Sequence, residues 1–98
     1  MRAYILTYTG EQIPVMPKAR GEELNPQTFT LEEVQDIVGG YIEIINLTDE
    51  VAMVVDEEGK LKEKFFNQAA TEIFRKCFPK TSDFIVGNVL VCESDMIE

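Results

Sequence analysis

The sequence has no histidine, and only two cysteines and two serines occur among its 98 residues. Without histidine the commonest general base is missing, and a serine or cysteine nucleophile has no imidazole to activate it. A tetrahedral zinc site normally takes four cysteine or histidine ligands, which is more than this chain can supply. We therefore expect a protein that is not an enzyme and that uses no cofactor and no metal.

Long apolar runs are also missing. The longest, such as residues 51–55, extend over a few residues, whereas a membrane-spanning helix needs about 20. The N-terminal stretch RAYILTY has one arginine and no small-residue cleavage site after it, so it predicts a first strand rather than a signal peptide. Cys77 and Cys92 lie in apolar stretches, which favours free buried thiols over a disulfide. We expect a cytoplasmic protein that does not enter a membrane.

Positive charge is scarce, because nine basic residues stand against eighteen acidic ones and the net charge is −9. Affinity for a phosphate backbone comes from lysine and arginine, so we expect no direct binding to nucleic acid. Six of the nine basic residues fall between Lys60 and Lys80, together with two acidic ones. This segment is the one place suited to an anionic ligand, although a solvated surface explains the same asymmetry.

The first part of the chain predicts a hairpin, a loop and a helix. RAYILTY and IPVM flank a turn at Gly10, and Pro14 places the second strand at a sheet edge. After a loop without apolar periodicity, FTLEEVQDIVGG has the pattern of a capped helix. Thr30 is the expected N-cap, and Glu33 three residues later completes a capping box. The glycine pair after Val38 is expected to end this helix.

The remaining segments predict three strands, a helix and a last strand. YIEIINL and VAMVV are typical strands, and DEEGK predicts a turn with Gly59 in the left-handed conformation before another strand near Leu61. Asn67 is the expected N-cap of a second helix. The helix should bury four residues that recur at helical spacing, namely Ala70, Ile73, Phe74 and Cys77.

The final stretch DFIVGNVLVC is apolar enough for a central strand. The element order is therefore β-β-α-β-β-β-α-β. We expect residues 1–98 to form a single small α+β domain with a mainly antiparallel sheet and two helices.

The most motif-like stretch is VGGYIEIINL, which begins at Val38 and contains Gly39 and Gly40. A phosphate-binding loop places its glycines before a helix, so that free amides at the positive end face the anion. Here the glycines follow a helix and meet its negative end. We therefore interpret them as a helix C-cap and an entry into a strand. A C-cap needs one glycine, so the second predicts a close approach of another backbone or of a ligand.

Four stretches in sequence, LEEVQDIVGGYIEII, VVDEEGKL, NQAAT and DFIVGNVLV, resemble a family of small domains of bacteriophages, plasmids and gut bacteria. That family is catalogued as a domain of unknown function. The resemblance covers roughly residues 31–92, supplies no enzyme activity to carry over, and implies an accessory protein of mobile elements. The sequence departs from the family at Asp56, where asparagine is common, and at KEKFF, where a glycine and prolines are usual. The shared positions are Gly39, Gly40, Tyr41, Glu43, Glu57, Glu58, Gly59, Lys60, Asn67, Ala70, Asp83 and Gly87.

Candidate binding residues come from two places. Tyr41 and Glu43 share a strand face with Ile45, and a carboxylate on such a face lies near an edge, is paired, or lines a pocket. In the basic segment, Lys62 and Lys64 alternate on the expected strand. If they converge with Arg75, an anion could be held there, with Asn67 orienting it unless it serves only as a cap. As exposed charges, the two lysines should contribute at most about 1 kcal/mol to stability.

Three functions from different classes fit these observations. The first is a non-enzymatic binding module that captures a small polar ligand, for instance a nucleotide, or a host protein. The second is a DNA mimic whose carboxylates, such as Glu32, Asp36, Asp49 and Glu50, imitate phosphates and occupy a nucleic-acid-binding enzyme. The third is a small enzyme that uses carboxylates alone. A homodimer is a further expectation if Phe74 is exposed in the monomer. We choose the binding module.

Overall fold

Five short strands pair into one antiparallel sheet in the computed structural model, which describes residues 2–98. Along the chain the elements are β1 (Ala3–Leu6), β2 (Gln12–Pro14), α1 (Leu31–Val38), β3 (Ile42–Asn46), β4 (Val51–Asp56), α2 (Gln68–Cys77) and β5 (Val89–Glu93), followed by a 3-10 turn (Ser94–Met96). Across the sheet the order is β2-β1-β5-β4-β3. The α+β class is confirmed, as are the edge position of β2 and the central position of β5.

The helix α1 has the capping box that its sequence predicts. The Glu33 amide donates to Thr30 Oγ1 at 3.1 Å, and the Thr30 amide donates to Glu33 Oε1 at 3.0 Å. Gly39 ends the helix in the left-handed conformation, with φ 84°. Phe29, which precedes the cap, is buried in the same core as Val34. The helix therefore begins and ends at the residues that its local sequence signals predict.

One core fills the space between the sheet and α1. Successive residues of a strand point to opposite faces, so Val54, Leu90 and Cys92 share one face. They pack there with Val34 and Val38 of α1. Burial raises the pKa of the Cys92 thiol to about 11, which leaves this thiol unreactive at neutral pH.

A second core lies on the opposite face of the sheet, under α2. Met53 and Val55 of β4 point into it, and Ala70 is its fully buried residue on the helix. Phe74 and Cys77 are half-buried at its border, as is Ile73, whereas the sequence predicts full burial for all three. Cys77 and the Cys92 thiol of the first core lie on different sides of the sheet, so both are free.

The segment between β4 and α2 forms consecutive turns, and the strand expected near Leu61 is not present. Inside this segment the Lys62 amide donates to Glu58 O at 3.0 Å, and the Lys64 amide donates to Gly59 O at 3.1 Å. These amides are therefore used locally and cannot form a strand ladder.

Gly59 differs from its expected conformation. It does not take a positive φ, whereas Glu63 does, with φ 56°. Packing explains the glycine instead, because a Cβ at position 59 would lie 2.9 Å from Val86 Cγ2. Within residues 2–98, none of the helices has the length and apolar character needed to cross a membrane.

The capping box provides a direct test of the α1 start. We expect Thr30→Ala to lower the free energy of unfolding by about 1 kcal/mol, because the Glu33 amide loses its acceptor. Thr30→Ser keeps the hydroxyl and should stay close to the wild type. Urea unfolding followed by circular dichroism measures both, and equal stability of the alanine and serine variants would contradict the cap.

Candidate functional site

A buried carboxylate at the end of β4 receives two lysines. The Asp56 side chain is 1% exposed, and its Oδ2 lies 2.8 Å from Lys62 Nζ and 2.7 Å from Lys64 Nζ. Lys64 Nζ also donates to Val38 O at 2.6 Å, and Lys62 Nζ to Gly39 O at 3.2 Å. These carbonyls lie at the C-terminus of α1, where the helix dipole favours cations. The two ammonium groups thus join the end of β4 to the end of α1.

The protonation state of Asp56 follows from these contacts. Burial raises the pKa of Asp56, but hydrogen bonds from both lysines and from the Glu58 amide outweigh burial and hold the pKa at about 2, below its ordinary 3.8. The carboxylate is therefore charged at neutral pH, and its charge is compensated by the lysines. We call Asp56, Lys62 and Lys64 the Asp56 cluster.

The glycine pair is explained by this cluster. Gly39 forms the C-cap, and its amide donates to Gln35 O at 2.7 Å. A Cβ on Gly40 would lie 3.0 and 3.1 Å from the carboxylate oxygens of Asp56, and closer still to Lys62 Nζ. The second glycine therefore leaves room for an ion pair. The interpretation of Gly39 as a C-cap is confirmed. The groups that approach Gly40 closely are the side chains of Asp56 and Lys62, and not the backbone or ligand that the sequence predicts.

The structure distributes the basic candidates over two sides of the molecule. Lys62 and Lys64 lie at the end of α1, on one face of the sheet. Arg75 lies on α2, on the opposite face, and donates to the carbonyls of Asp83 (3.0 Å) and Ser82 (3.3 Å). The three side chains are therefore not brought together into one concave site.

The uncharged candidates also separate. Tyr41 is exposed and shares a shallow hollow with Lys62 beside Gly40. Asn67 is fully buried, and its Oδ1 caps α2 by accepting from the Ala70 amide at 3.0 Å. Its Nδ2 donates to the carbonyls of Leu6 (3.1 Å) and Gly87 (2.8 Å). Asn67 thus holds together α2, β1 and the connection that leads into β5.

Glu43 lies in a different place, a cleft between β3 and the segment that follows α2. The cleft has a volume of about 440 Å³, at the small end of the range typical of ligand pockets. Ile45 and Val55 contribute its apolar sheet surface. The rings of Phe74 and Phe78 lie 5.3 Å apart between centroids, and Phe78 is 39% exposed. We call this site the α2 cleft.

The electrostatics of the α2 cleft are acidic. Lys60 is its basic residue, but it is paired with Asp83 and lies over the Phe84 ring at 4.4 Å. The hydrogen bond from Lys60 lowers the pKa of Asp83 below its usual value. In the part of the chain that the structure describes, no basic side chain lies within 4.0 Å of the carboxylates of Glu43 and Glu57. The cleft therefore combines exposed phenyl rings with two uncompensated carboxylates.

Sequence reasoning identified Glu43 but missed the aromatic wall of the cleft. Phe84 is 40% exposed, although its stretch DFIVG has the pattern of a buried strand. The strand β5 begins only at Val89, so the residues before it form a connection that passes over the cleft. A signal was present in Pro79 and the polar residues that follow it, which mark a long connection between α2 and β5. In residues 2–98, no group of three or more acidic, cysteine or histidine side chains could hold a metal ion.

The low pKa of Asp56 predicts a pH dependence of stability. Since the folded-state pKa of about 2 lies below the unfolded value of 3.8, the contribution is complete above about pH 4 and is lost as the pH falls through 2. We expect the wild type to lose about 2 kcal/mol more than Asp56→Asn over this interval. Urea unfolding at several pH values measures the difference, and parallel curves would contradict the ion pair.

The Asp56 cluster also changes the expectation for its lysines. We expect Lys62→Ala with Lys64→Ala to lower the free energy of unfolding by about 3 kcal/mol, because a buried carboxylate loses both partners. Lys76→Ala with Lys80→Ala removes the same charge from exposed positions and should change stability by about 0.5 kcal/mol or less. Thermal unfolding of the two double variants makes the comparison, and similar melting temperatures would show that the cluster contributes little.

Comparison with known proteins agrees with the resemblance of the sequence. The chain matches the family described as Domain of unknown function (DUF3846) over residues 13–98. This range is longer than residues 31–92, because it also includes most of β2, the loop before α1 and the C-terminal turn. No curated protein and no solved structure matches the chain. The chain therefore belongs to the DUF3846 family, a domain of unknown function.

Proposed function

We propose that this domain is a non-catalytic binding module and that it captures its ligand in the α2 cleft. The observation that carries the proposal is the pairing of exposed phenyl rings with two uncompensated carboxylates, Glu43 and Glu57, in one concave place. Apolar walls with a few convergent polar groups are the usual composition of a ligand site. The sequence has no histidine to support acid–base chemistry beside them.

The charge of the cleft selects the class of ligand. Carboxylates in a partly apolar site attract a cation and repel an anion. Phenyl rings add to this preference, because their faces attract ammonium and guanidinium groups. We therefore propose that the cleft binds a ligand, or a side chain of a host protein, with an apolar body and a positive charge. The domain would act in the cytoplasm as an accessory protein of a mobile element.

A nucleotide-like ligand is less well supported. It would rest on Lys62, Lys64 and Arg75, but the two lysines already compensate Asp56 and the end of α1. Arg75 lies on the other face of the sheet and is bonded to backbone carbonyls. These three residues therefore have little positive charge left to bind a phosphate group.

A DNA mimic remains the second candidate. Asp49 and Glu50 lie exposed at the turn between β3 and β4, and Asp95 lines the same shallow hollow. Such a patch would bind a basic protein surface with strongly salt-dependent affinity. This function requires the acidic side chains at that turn and on α1, and it does not require the phenyl rings of the α2 cleft.

A titration with small molecules tests the binding module. We expect tyramine and N-acetylarginine amide to shift the backbone amide signals of Glu43, Phe78 and Phe84 in two-dimensional NMR spectra. Glu43→Gln should weaken this binding about tenfold, because a charge-assisted contact in the cleft is lost. Glu32→Gln removes an acid from α1 and should leave binding unchanged.

The same experiment separates the alternatives. Adenosine monophosphate and cyclic di-AMP should cause no comparable shifts, and saturable binding of either nucleotide would contradict the proposed ligand class. Equal weakening by Glu43→Gln and Glu32→Gln would mean that overall charge, and not the cleft, attracts the cations. That result would favour the DNA mimic.

A further inference from the structure

The open edge of the sheet adjoins the α2 cleft. The strand β3 lies at the end of the strand order, so within residues 2–98 no strand pairs with one of its sides. The Glu57 amide donates to Tyr41 O at 2.9 Å, and the Leu47 amide donates to Val51 O at 3.0 Å. Hydrogen-bonded pairs alternate along an antiparallel ladder. The odd-numbered residues of β3 therefore bond to β4, and Ile42, Ile44 and Asn46 direct their amides and carbonyls outward.

The opposite edge of the sheet is protected, whereas β3 is not. In β2 the Glu11 carbonyl accepts from the Thr7 amide at 2.9 Å and the Val15 amide donates to Ala3 O at 3.2 Å, so position 14 is an outward position. Proline occupies it and removes the donor, which is a common way of blocking an edge. The strand β3 has no proline, and Ile44 at its middle is 44% exposed. This edge can accept a further strand.

We propose that the β3 edge accepts an extended segment of a partner protein as a sixth strand, and that this segment alternates basic and apolar residues. The inference rests on the proposed binding role of the α2 cleft and names the partner of that site. Strand addition of this kind obtains affinity from main-chain hydrogen bonds and specificity from alternate side chains.

The alternation follows from the two faces of β3. Side chains of an added strand on the α2 side lie next to Glu43 and the cleft, where carboxylates and phenyl rings suit arginine. Side chains on the other side lie next to Ile42 and Ile44, which suit valine or isoleucine. One face of the segment is therefore basic and the other apolar.

Charge argues against a second copy of this chain as the occupant. Antiparallel pairing of two β3 edges would bring the Glu43 side chains of both copies onto neighbouring strands of the same sheet face. Each copy has a net charge of −9, and like charges across neighbouring strands are destabilising. A cationic segment gains from the same groups, so electrostatic complementarity selects a basic partner.

The test uses a capped hexapeptide of alternating arginine and valine, titrated into the full chain by calorimetry and NMR. We expect saturable binding, with contacts between the peptide backbone and Ile44. Methylation of alternate peptide amides keeps the charge but removes the donors, and it should abolish binding. A peptide with glutamate in place of arginine should not bind.

Two proline variants make the matched comparison in the protein. Ile44→Pro removes an outward amide donor of β3 that the ladder with β4 does not use. We expect it to lower the affinity for the peptide at least about tenfold. Gln12→Pro makes the same change at an outward position of β2 and should leave binding unchanged. If Ile44→Pro does not fold, the methylated peptide gives the same test on the wild type.

Each result decides the inference. Equal binding by Ile44→Pro and the wild type, or by the methylated and unmethylated peptides, would overturn strand addition. If Glu43→Gln still weakens the peptide in that case, capture in the α2 cleft stands without the added strand. If the hexapeptide does not bind, the inference is overturned. The tyramine titration then tests separately whether the α2 cleft binds a cationic ligand. A wild-type dimer in sedimentation velocity that Ile44→Pro dissociates would assign the edge to a second copy and also overturn it.

Discussion

The ion pair between Asp56 and two lysines is the interaction on which the rest of the structure depends. It joins the end of β4, the C-terminus of α1 and the turns that follow β4. Without the lysines, both the buried Asp56 carboxylate and the negative C-terminal end of α1 would be unfavourable, because each needs a positive charge nearby. The lysines meet both needs at once, and Gly40 leaves them the space.

This cluster also determines which charges remain available at the surface. The basic segment of the sequence suggests an anion site, yet two of its lysines serve a buried acid, and Lys60 serves Asp83. Arg75 fixes the connection after α2 by bonding to its carbonyls. Four of the six basic residues in this segment are thus engaged within the protein, and the carboxylates of the α2 cleft are left without a basic partner. The surface that could bind a partner is acidic and aromatic.

The two edges of the sheet complete this picture. Proline blocks the outward edge of β2, whereas β3 exposes Ile44 beside acidic side chains. Among residues 2–98, the outward backbone groups of β3 have no partner strand. Acidic residues near an open edge discourage pairing between copies of the same chain. They do not discourage a basic segment. An edge and a cleft that share Glu43 therefore act together as one binding surface in our proposal.

The sequence by itself determined the features that depend on neighbouring residues. The capping box of Thr30 and Glu33, the C-cap at Gly39, the N-cap at Asn67 and the hairpin turn all form as their local patterns predict. The order of strands in the sheet can also be predicted in part from the sequence. Pro14 predicts the edge position of β2, and the apolar composition of β5 predicts its central position. The family relationship likewise follows from residues along the chain.

Tertiary structure alone decided what depends on residues far apart in the chain. Lys62 and Lys64 alternate along the sequence as strand residues would, but they lie in turns. Their ammonium groups bind the buried Asp56 and the C-terminal carbonyls of α1, a helix that precedes them by more than 20 residues. The aromatic wall of the α2 cleft forms because the connection before β5 passes over the sheet, which no local periodicity reports. The path of the whole chain determines which groups lie next to a charged side chain. Only the tertiary structure therefore shows whether a lysine forms a stabilising ion pair or is free to bind a ligand.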